Sequence, residues 1–359
     1  MSFETDVVVV GGGPAGSAAA IWCSKHGLRV SLLEKVVFPR DRPGETLHPG
    51  IEPLLQRLGL ENHLRTRAFL RHAGIWIRWP QVSEFVPFGH DAYGQWLGLQ
   101  AWRADLDSLL LERARATGVE IRQPCETTGL MKEGGRVVGV SSSLGQIRCR
   151  YVIDAAGGQH WLRHKLGLDL QRASPPLTAY YGYCEGTCPE RDEAPAIEIE
   201  GSGWVWTARV EPGLYHWTRL SLGAPLSKPA RAPSVFQHLA QKGKMRAADV
   251  TWRIMPHSAG CGYFIVGDAA AVVDPAASHG VLRALMSGMM AAHGILKVVK
   301  DGANEEQYAS HYRTWLSEWF RRDVEELKTL YHELAPAAEW LTGTRASDRD
   351  SARVDVLGC

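Results

Sequence analysis

The sequence of 359 residues has no long hydrophobic run. No apolar stretch reaches the ~20 residues that a membrane-spanning helix needs. The first strand-like run begins at Asp6, so we expect no signal or transit peptide ahead of it. Together these features predict a cytoplasmic protein without a membrane span.

An excess of either charge is also missing. Lys and Arg number 40 and Asp and Glu number 39, which gives a formal net charge of +1. So small a charge creates no overall field that would draw the protein to nucleic acid or to an anionic membrane surface. We therefore expect no nucleic-acid partner.

The cysteine and histidine patterns of disulfide-rich and metal-binding proteins are missing as well. The 7 cysteines are scattered and odd in number, which disfavours a disulfide framework. Cys184 and Cys188 form the one close pair, and no further ligands at a similar spacing complete a metal site. The 14 histidines include no H-E-x-x-H pattern, so we expect no metal.

A glycine-rich turn near the start of the chain is the first positive signal. Residues 6–10 are a β-branched run typical of a buried strand, and Gly11, Gly13 and Gly16 follow in G-x-G-x-x-G spacing before an Ala-rich helix over 15–22. The first glycine permits the tight turn, the second lets backbone approach a pyrophosphate, and the third lets helix and strand pack closely. The pattern predicts a dinucleotide at the N-terminus of this helix.

An acidic residue follows at the expected distance. The next strand, over 29–33, ends at Glu34, which lies 18 residues after Gly16. A carboxylate there accepts hydrogen bonds from a ribose diol, and it fits a ribose without a 2′-phosphate. The residues expected to contact the cofactor in this segment are Gly11, Gly13, Pro14, Ala15, Gly16, Glu34 and Lys35.

A second glycine-rich segment, residues 264–280 with the sequence FIVGDAAAVVDPAASHG, identifies the dinucleotide as FAD. Residues 263–266 form a strand, and Gly267 and Asp268 turn its end toward a polyol whose hydroxyls would donate to the carboxylate. A helix over 281–299 follows, with its positive end at Gly280 and Val281. A helix start at this point would stabilise the negative charge of reduced flavin. We therefore expect both glycine-rich segments to meet on one FAD.

Four segments, read together with the first glycine turn, carry a family resemblance. They are FPRDRPGETLHPG at 38–50, LQAWRADLDSLLLERARATGVEI at 99–121, YVIDAAGGQHWLRHKLG at 151–167 and GDAAAVVDPAASHG at 267–280. In this order they resemble the flavoprotein monooxygenases of the p-hydroxybenzoate hydroxylase fold. The nearest branch holds geranylgeranyl reductases, flavin-dependent tryptophan halogenases and related FAD-dependent hydroxylases. The resemblance covers residues 4 to about 335.

The resemblance implies roles for particular residues. The loop that runs along the FAD would contain Arg40, Arg42, Gly44, Glu45 and Thr46. Arg103 would contact the pyrophosphate or adenosine, Asp154 and Gly157 belong to the family's "DG" segment, and Asp268 would bind the ribityl or pyrophosphate region. The segment from Pro275 to Gly280 would pass beside the isoalloxazine.

The fold class predicted is α/β: a Rossmann-like FAD-binding domain with an inserted antiparallel β-sheet substrate domain and C-terminal helices. The FAD-binding domain would be discontinuous, over 1–70, 100–175 and 255–300. The substrate sheet would comprise 71–99 and 176–254, where strand-like runs alternate apolar and polar residues. A helical segment over 301–341 and a loose tail over 342–359 would complete the chain.

The sequence has no second G-x-G-x-x-G unit, so it predicts no dedicated nicotinamide domain. The electrons would come from NAD(P)H that reaches the flavin transiently, or from flavin reduced by a partner reductase.

Three reactions are compatible with these motifs. The favoured one is hydroxylation of an electron-rich aromatic by O2 through a flavin C4a-hydroperoxide. The substrate would be a small aromatic such as an indole, or a tryptophan within another polypeptide, as in relatives that mature quinoprotein enzymes. The alternative is reduction of an isoprenoid alkene or a quinone, although Pro43 stands where such reductases often carry Cys. Halogenation comes third, because residues 203–209, GWVWTAR, are a degenerate form of the halogenase motif W-x-W-x-I-P and no lysine can be assigned the role of carrying oxidised halide.

Five residues are candidates for direct participation in the reaction. His48 and His279 could hydrogen-bond an oxygen on the flavin, and an imidazole beside a positive helix end is expected to be neutral. Trp204 and Trp206, two apart on a strand, would share a sheet face and form a stacking wall, and Pro275 would line the flavin. Arg283, one turn into the following helix, could anchor an acidic substrate or cover the domain face.

Overall fold

Two large sheets and two long helices dominate the chain. The computed structural model describes residues 4–40, 42–66, 69–79, 83–200, 203–222 and 231–334, and every structural statement below concerns these ranges. The tail expected over 342–359 and the end of the helical segment expected up to 341 lie outside the described residues.

The helices are α1 Pro14–Lys25, α2 Ile51–Arg57, α3 Glu61–Thr66, α4 Arg103–Ala116, α5 Trp161–Leu166, α6 Gly280–Asp301 and α7 Glu305–Leu334. The strands are β1 Thr5–Val10, β2 Val30–Leu33, β3 Thr46–Leu47, β4 Leu70–His72, β5 Gly74–Arg78, β6 Ser83–Pro87, β7 His90–Asp91, β8 Gly94–Gln95, β9 Gly98–Gln100, β10 Glu120–Arg122, β11 Thr127–Glu133, β12 Arg136–Ser142, β13 Gly145–Asp154, β14 Gln171–Arg172, β15 Thr178–Glu185, β16 Ala196–Glu200, β17 Gly203–Glu211, β18 Leu214–Ser221, β19 Ala240–Asp249, β20 Arg253–Ile254, β21 Ala259–Gly260, β22 Tyr263–Ile265 and β23 Ala271–Val272.

The first large sheet has a parallel centre. Strands β10, β2, β1, β13 and β22 run parallel, while β12 and β11 add an antiparallel hairpin to the early part of β13. Helices α1, α4 and α6 belong to the hydrophobic core that covers this sheet. A parallel sheet needs covering helices because its strands bury both faces. The predicted α/β class with a Rossmann-like FAD-binding part is confirmed.

The expected elements around the cofactor are present with small shifts in their ends. The helix predicted over 15–22 is α1, the helix predicted over 281–299 is α6, and the helical segment predicted over 301–341 contains α7. Helices α1 and α6 extend beyond the predicted ranges because their ends are set by capping and packing, which apolar periodicity does not encode.

The second large sheet contains seven strands in the order β19-β15-β18-β17-β16-β5-β6. Its neighbours pair antiparallel, as the alternating sequence predicts, except for β16 and β5, which run parallel with Ala196 opposite Trp76. This parallel pair arises because β5 and β6, residues 74–87, form their own hairpin. The hairpin joins the sheet by pairing β5 with β16. The domain limits drawn from the sequence stay a prediction.

Helix α6 is long and apolar enough, by length and composition, to cross a bilayer. The sequence analysis did not recognise α6 as a long apolar stretch. Gly, Ser and His residues interrupt its hydrophobic residues, so they form no continuous run. In the fold 56% of its apolar window is buried inside the protein, as in the core helix of a globular domain.

Helices α1 and α6 approach closely through a glycine. A Cβ at Gly288 would lie 2.2 Å from the Ala15 carbonyl oxygen, which is backbone and therefore has little freedom to move aside. The same contact brings the first turn of α1 against the middle of α6. Gly288 thus sets how near the two glycine-rich segments of the chain come to each other.

We predict that Gly288→Ala destabilises the protein by about 1–3 kcal/mol, because the helices must separate to admit the methyl group. Thermal unfolding monitored by circular dichroism measures the effect. Gly280→Ala is the matched control on the same helix, since a Cβ there meets nothing within 4 Å. Equal melting temperatures for the two variants would contradict the close-packing role of Gly288.

Candidate functional site

Three parallel strands bring the glycine-rich segments to one edge of the sheet. In the register of β13, Asp154 pairs with Val10 of β1 on one side and with Ile265 of β22 on the other. The turns that follow these strands therefore lie side by side. A Cβ at Gly267 would lie 2.9 Å from the Ala15 side chain, so the second glycine-rich segment touches the first helix.

The glycine turn after β1 has the close contacts that its spacing predicts. Gly11 has φ of +104°, which favours glycine, and a Cβ there would lie 2.4 Å from the Ala155 carbonyl oxygen. A Cβ at Gly16 would lie 1.9 Å from the Gly11 carbonyl oxygen. Larger residues at either position would force the strand, the turn and the helix apart.

The starts of α1 and α6 are both open to an anion. The N-cap of α1 is Gly13 and that of α6 is His279, and neither makes a side-chain capping hydrogen bond. Neither helix has an acidic residue in its first turn. Uncapped N–H groups and the positive end of the helix dipole suit a pyrophosphate at α1 and a reduced flavin ring at α6. The donor set of this edge therefore fits FAD.

Glu34, the predicted ribose acid, is 2% exposed. Its Oε2 accepts a hydrogen bond from the Gly12 amide at 2.8 Å, and its Oε1 accepts one from the Val36 amide at 2.9 Å. The carboxylate thus ties β2 to the glycine turn. Lys35, the neighbouring predicted contact, has an exposed side chain.

Two arginines and one aspartate form a buried group beside the glycine turn. The Arg103 Nε donates to Asp107 Oδ1 at 2.9 Å and its Nη1 donates to the Pro43 carbonyl at 2.8 Å. Arg40 stacks over Phe38, and its Nη2 lies 3.7 Å from Asp107 Oδ2. The same guanidinium reaches over Gly13, where it would meet a Cβ at 3.1 Å. Asp107 therefore contacts both Arg40, predicted for the cofactor loop, and Arg103, predicted to contact the pyrophosphate or adenosine.

The charges of this group act on one another's pKa values. Burial lowers the pKa of Arg40, and the carboxylates of Glu34 and Asp107 oppose that change. Burial acts in the same direction on Arg103, but Asp107, Glu45 and Asp268 together outweigh it and the pKa of Arg103 is raised. Asp107 escaped the sequence reasoning, although its i,i+4 spacing from Arg103 on a helix could have revealed it.

Asp268 lies at the other side of this edge, in a short turn over Gly267–Ala269. Its side chain keeps solvent-accessible surface, yet the surrounding protein desolvates the carboxyl enough to raise its pKa. Four arginines oppose this rise, namely Arg103, Arg253, Arg42 and Arg283. An accessible carboxylate among arginines, inside a cleft, suits a ligand that carries both hydroxyl and phosphate groups.

Asp154 serves the backbone rather than the open cleft. It has no exposed surface, its Oδ1 accepts from the Ala156 amide at 2.9 Å and its Oδ2 accepts from the Leu162 amide at 2.7 Å. Burial raises its pKa to about 6, and these two amides oppose the rise. The carboxylate therefore shapes the turn that carries Gly157, which has φ of +68°.

The loop over Gly44, Glu45 and Thr46 is held by the second large sheet. Glu45 is 1% exposed, and it accepts a hydrogen bond from the Tyr183 hydroxyl. Its Oε2 lies 3.4 Å from the Nδ1 of His216, whose pKa burial lowers. Tyr183 and His216 are cross-strand partners on β15 and β18, and no local sequence pattern marks them as neighbours of the loop.

The two tryptophans of the predicted stacking wall have different environments. The Trp206 indole N–H donates to Thr46 Oγ1 at 3.2 Å, which places this half-buried ring beside the loop. Trp204 is 2% exposed and donates to the Tyr331 hydroxyl at 2.7 Å. The expectation of a substrate-facing wall is therefore corrected for Trp204, because α7 covers it. Trp206 alone keeps surface for a substrate.

His48 and His279 come together at the start of α6. Their rings are 5.1 Å apart in an edge arrangement, and His48 also lies 5.9 Å from the Phe88 ring. Burial lowers the pKa of His48, and it lowers the pKa of His279 to about 4, with the charges of Arg283 and His48 acting in the same direction. Both imidazoles are therefore neutral near pH 7, as expected beside a positive helix end.

Pro275 and the residues after it form a short turn over Pro275–Ala277, and Pro275 is exposed. Arg283, one turn further into α6, pairs with Asp323 of α7 and stacks over the Trp319 ring. Its guanidinium thus joins two helices. Anchoring of an acidic substrate, one of the two roles considered for Arg283, would require it to leave this partner.

The close cysteine pair, Cys184 and Cys188, forms no disulfide. Cys184 and Cys188 are buried in an aromatic cluster with Tyr215, Trp217 and Phe236. Within the described ranges, no group of three or more His, Cys, Asp or Glu side chains could hold a metal ion.

Comparison with known proteins agrees with this geometry. The family profile described as "FAD dependent oxidoreductase" matches residues 104–354, and the one described as "FAD binding domain" matches residues 4–180. The first match spans well over half of the sequence, so the chain belongs to the FAD dependent oxidoreductases. Its cofactor is FAD.

Three curated relatives show the range of the family. The chain is 27% identical to a tryptophan 2-halogenase of Chondromyces crocatus over 87% of its own length and 66% of that protein's. It is 28% identical to a 1H-pyrrole-2-carbonyl-[peptidyl-carrier protein] brominase of Pseudoalteromonas luteoviolacea, covering 86% of this chain and 81% of the other. It is 29% identical to a menaquinone reductase of Mycobacterium tuberculosis over 80% and 76% of the two chains.

Two solved structures share the fold. The myxobacterial chondrochloren halogenase CndH has a TM-score of 0.82 at 23% identity, over 92% of this chain and 83% of the other. PqsL, a probable FAD-dependent monooxygenase from Pseudomonas aeruginosa, has a TM-score of 0.79 at 16% identity, over 95% and 99%. The predicted fold of the flavoprotein monooxygenases is therefore confirmed.

The names of the relatives bear on the reaction. Flavoenzyme oxidation is supported, and most of the named relatives are halogenases. Ranking halogenation last among the three reactions is therefore corrected. The degenerate tryptophan motif disfavoured halogenation, whereas similarity to halogenases over most of the chain favours it.

We predict that Asp268→Ala raises the dissociation constant for FAD about tenfold to a hundredfold, because a charged hydrogen-bond acceptor is lost from the cleft. Titration of FAD-depleted protein followed by flavin fluorescence measures the change. Asp301→Ala is the control, since this carboxylate is exposed and pairs with Lys297 at the far end of α6. Unchanged affinity in Asp268→Ala would remove this residue from the cofactor site.

Proposed function

We propose that this protein oxidises an electron-rich aromatic substrate with O2 and reduced FAD, and that it transfers oxygen to the ring. The observation that carries the proposal is the pair of neutral imidazoles, His48 and His279, at the open start of α6. Reduced FAD, when bound, supplies the electrons that activate O2.

The two histidines supply hydrogen bonds without a positive charge. His48 Nδ1 lies 3.0 Å from the Gly50 amide, which donates to it, so this ring carries its proton on Nε2. The Nε2–H of His48 can therefore donate to a developing oxygen anion, and the unprotonated nitrogen of a neutral His279 can accept the proton that the aromatic ring loses. His279, at the N-cap of α6, adds a second such group where the helix dipole favours negative charge.

Trp206 and Phe88 provide apolar surface for the aromatic substrate. Trp206 reaches the loop through Thr46, and Phe88 lies against His48, two residues further along that loop. An aromatic ring placed between them would stack while its reacting carbon faces the imidazoles. The substrate class is a free indole or other small aromatic, or a tryptophan side chain within a polypeptide. The named substrates of two relatives, tryptophan and a carrier-bound pyrrole, are of this electron-rich kind.

Halogenation is the second candidate, and the names of the relatives favour it. Two local observations favour oxygen transfer instead. The motif residues Ala208 and Arg209 depart from Ile-Pro, and Arg209 pairs with Asp192 at 3.4 Å. The sequence also offers no lysine that can be assigned the role of carrying oxidised halide. Quinone or alkene reduction is supported by the name of one of these relatives, the menaquinone reductase.

The electron donor is proposed to be NAD(P)H acting transiently or a flavin reductase that hands over reduced flavin. The sequence supports this because it contains a single G-x-G-x-x-G unit, at residues 11–16.

Isotopically labelled O2 separates the three reactions. We expect anaerobically reduced protein, mixed with labelled O2, bromide and a tryptophan-containing peptide or indole, to give a product that carries one labelled oxygen and no bromine. A transient absorbance distinct from oxidised and reduced flavin should accompany it in stopped flow. A brominated product would establish halogenation, and reoxidation that requires a quinone or alkene would establish the reductase.

The histidine pair predicts a pH dependence. The pKa of His279 is lowered to about 4, so its neutral form prevails above about pH 5 and is lost only as the pH falls further. We expect the O2-dependent step to be constant between about pH 6 and 8 with respect to this group and to decline below about pH 5. His279→Ala should retain FAD, slow that step and lose the acidic decline. Rapid-mixing kinetics of both proteins across this pH range measure the effect. Coinciding pH profiles for the unmodified protein and His279→Ala would contradict the assignment.

A further inference from the structure

A histidine with an uncommon backbone conformation closes the turn that follows β13. This turn, Gly157–Gln159, ends at His160, which has φ of +47°. A positive φ is uncommon for a residue other than glycine, and it persists only where the surroundings determine it. Because His160 is 7% exposed, its polar ring also needs hydrogen-bond partners inside the protein.

Both ring nitrogens of His160 have such a partner. Nδ1 lies 3.0 Å from the Ala269 carbonyl oxygen, and Nε2 accepts a hydrogen bond from the Arg253 Nε at 3.0 Å. A carbonyl oxygen can only accept and a guanidinium can only donate, so the imidazole carries its proton on Nδ1. Only the neutral ring satisfies both contacts at once.

The surroundings of the ring favour this neutral form. Burial lowers the pKa of His160, and the Ala269 carbonyl opposes that change. The charges of Arg253, Arg163 and His164 lower the pKa further. A protonated ring would also direct a second N–H at the Arg253 guanidinium. The donor on Nδ1 and the acceptor on Nε2 are therefore both present near pH 7.

The contact with Ala269 joins two turns of the cofactor edge. Ala269 is the last residue of the turn Gly267–Ala269, which carries Asp268. His160 ends the turn after β13, the strand whose last residue is Asp154. The hydrogen bond between them spans 109 residues of sequence. The position of the Asp268 turn is thus tied to that of its neighbour by one imidazole.

Arg253 is itself fixed by the end of the second large sheet. It lies on β20 and is 5% exposed, and its Nη1 donates to Asp249 Oδ2 and to the Thr251 carbonyl, both at 3.0 Å. Asp249 is the last residue of β19, the edge strand of that sheet. A continuous chain of hydrogen bonds therefore runs from the second sheet through Arg253 and His160 to the Asp268 turn.

We propose that His160 is a positioning residue that ties the Asp268 turn to the turn after β13 and so holds the Asp268 carboxylate in place for FAD. This inference rests on the assignment of Asp268 to the FAD site. It does not depend on the reaction, so it applies equally to oxygen transfer, halogenation and reduction.

Two substitutions separate the backbone of His160 from its side chain. His160→Gly adopts the positive φ freely but removes both hydrogen bonds. His160→Asn also tolerates this conformation, and its amide nitrogen can replace Nδ1 as the donor to Ala269. We expect the dissociation constant for FAD to rise about tenfold in His160→Gly and to stay within about threefold of its original value in His160→Asn. Titration of FAD-depleted protein followed by flavin fluorescence measures both.

A double-mutant cycle shows whether His160 acts through Asp268. In protein that already carries Asp268→Ala, we expect His160→Gly to weaken FAD binding by about twofold or less, because no carboxylate remains to be positioned. Full additivity of the two losses would overturn the proposal, since His160 would then affect FAD by a route other than Asp268.

Amide exchange measures the hold on the turn directly. In His160→Gly we expect exchange over 267–270 to become about tenfold faster, and His160→Asn should restore it. His238→Gly is the matched control, because its Nε2 lies 3.0 Å from the Thr187 carbonyl oxygen and touches neither turn. It should leave exchange over 267–270 and FAD affinity unchanged.

Three further results would overturn the proposal. The first is unchanged exchange in His160→Gly, because the turn would then be held without the imidazole. The second is an equal loss of FAD affinity in His238→Gly, which would indicate general destabilisation. The third is faster exchange with unchanged FAD affinity in both His160→Gly and Asp268→Ala, which would remove Asp268 from the cofactor site. A brominated product in the labelled-O2 experiment would overturn oxygen transfer alone, since none of these readouts involves turnover.

Discussion

The pairing of β13 with a parallel neighbour on each side is the constraint on which the site depends. Asp154 lies opposite both Val10 and Ile265, so two turns that are distant in sequence must end at the same edge. The buried Asp154 carboxyl then fixes the turn that follows its own strand. Ligand sites in parallel sheets form at such edges because the strands present their carboxyl ends, and the adjacent helix starts, to one crevice.

Buried polar contacts, rather than the motifs themselves, hold the loops around that edge. Asp107 gathers Arg40 and Arg103, while Tyr183 and His216 hold Glu45 from the second sheet. A buried charge without such partners would be unstable. The contacts therefore explain why loops of little regular structure can keep a defined shape beside a cofactor.

The sequence was sufficient to predict those structural features that a local residue pattern encodes. The G-x-G-x-x-G turn, the acid at Glu34 and the helix after Gly280 follow from short-range geometry, and all three lie where that geometry requires. Contacts between distant segments were not predictable. Trp204 and Trp206 carry the same side chain and lie two residues apart on β17. Only Trp204 is covered by Tyr331, which lies 127 residues further along the chain. Likewise, nothing within the β16 or β5 segments shows that they pair in parallel.

Oxygen transfer and halogen transfer share the early chemistry of reduced flavin and O2, so the choice between them depends on the groups around the reacting ring. A charged group that holds an oxidised halide would need a polar cavity and an open path. The described groups at the start of α6 include instead two imidazoles kept neutral by burial, and Arg283, one turn into the helix, lies beside Asp323 of α7. Such groups can donate and accept protons without adding positive charge, as attack of an aromatic ring on activated oxygen requires. The difference between the reactions therefore lies in a few side chains on a shared fold, which is why similarity over the whole chain and the local geometry can point to different members of the family.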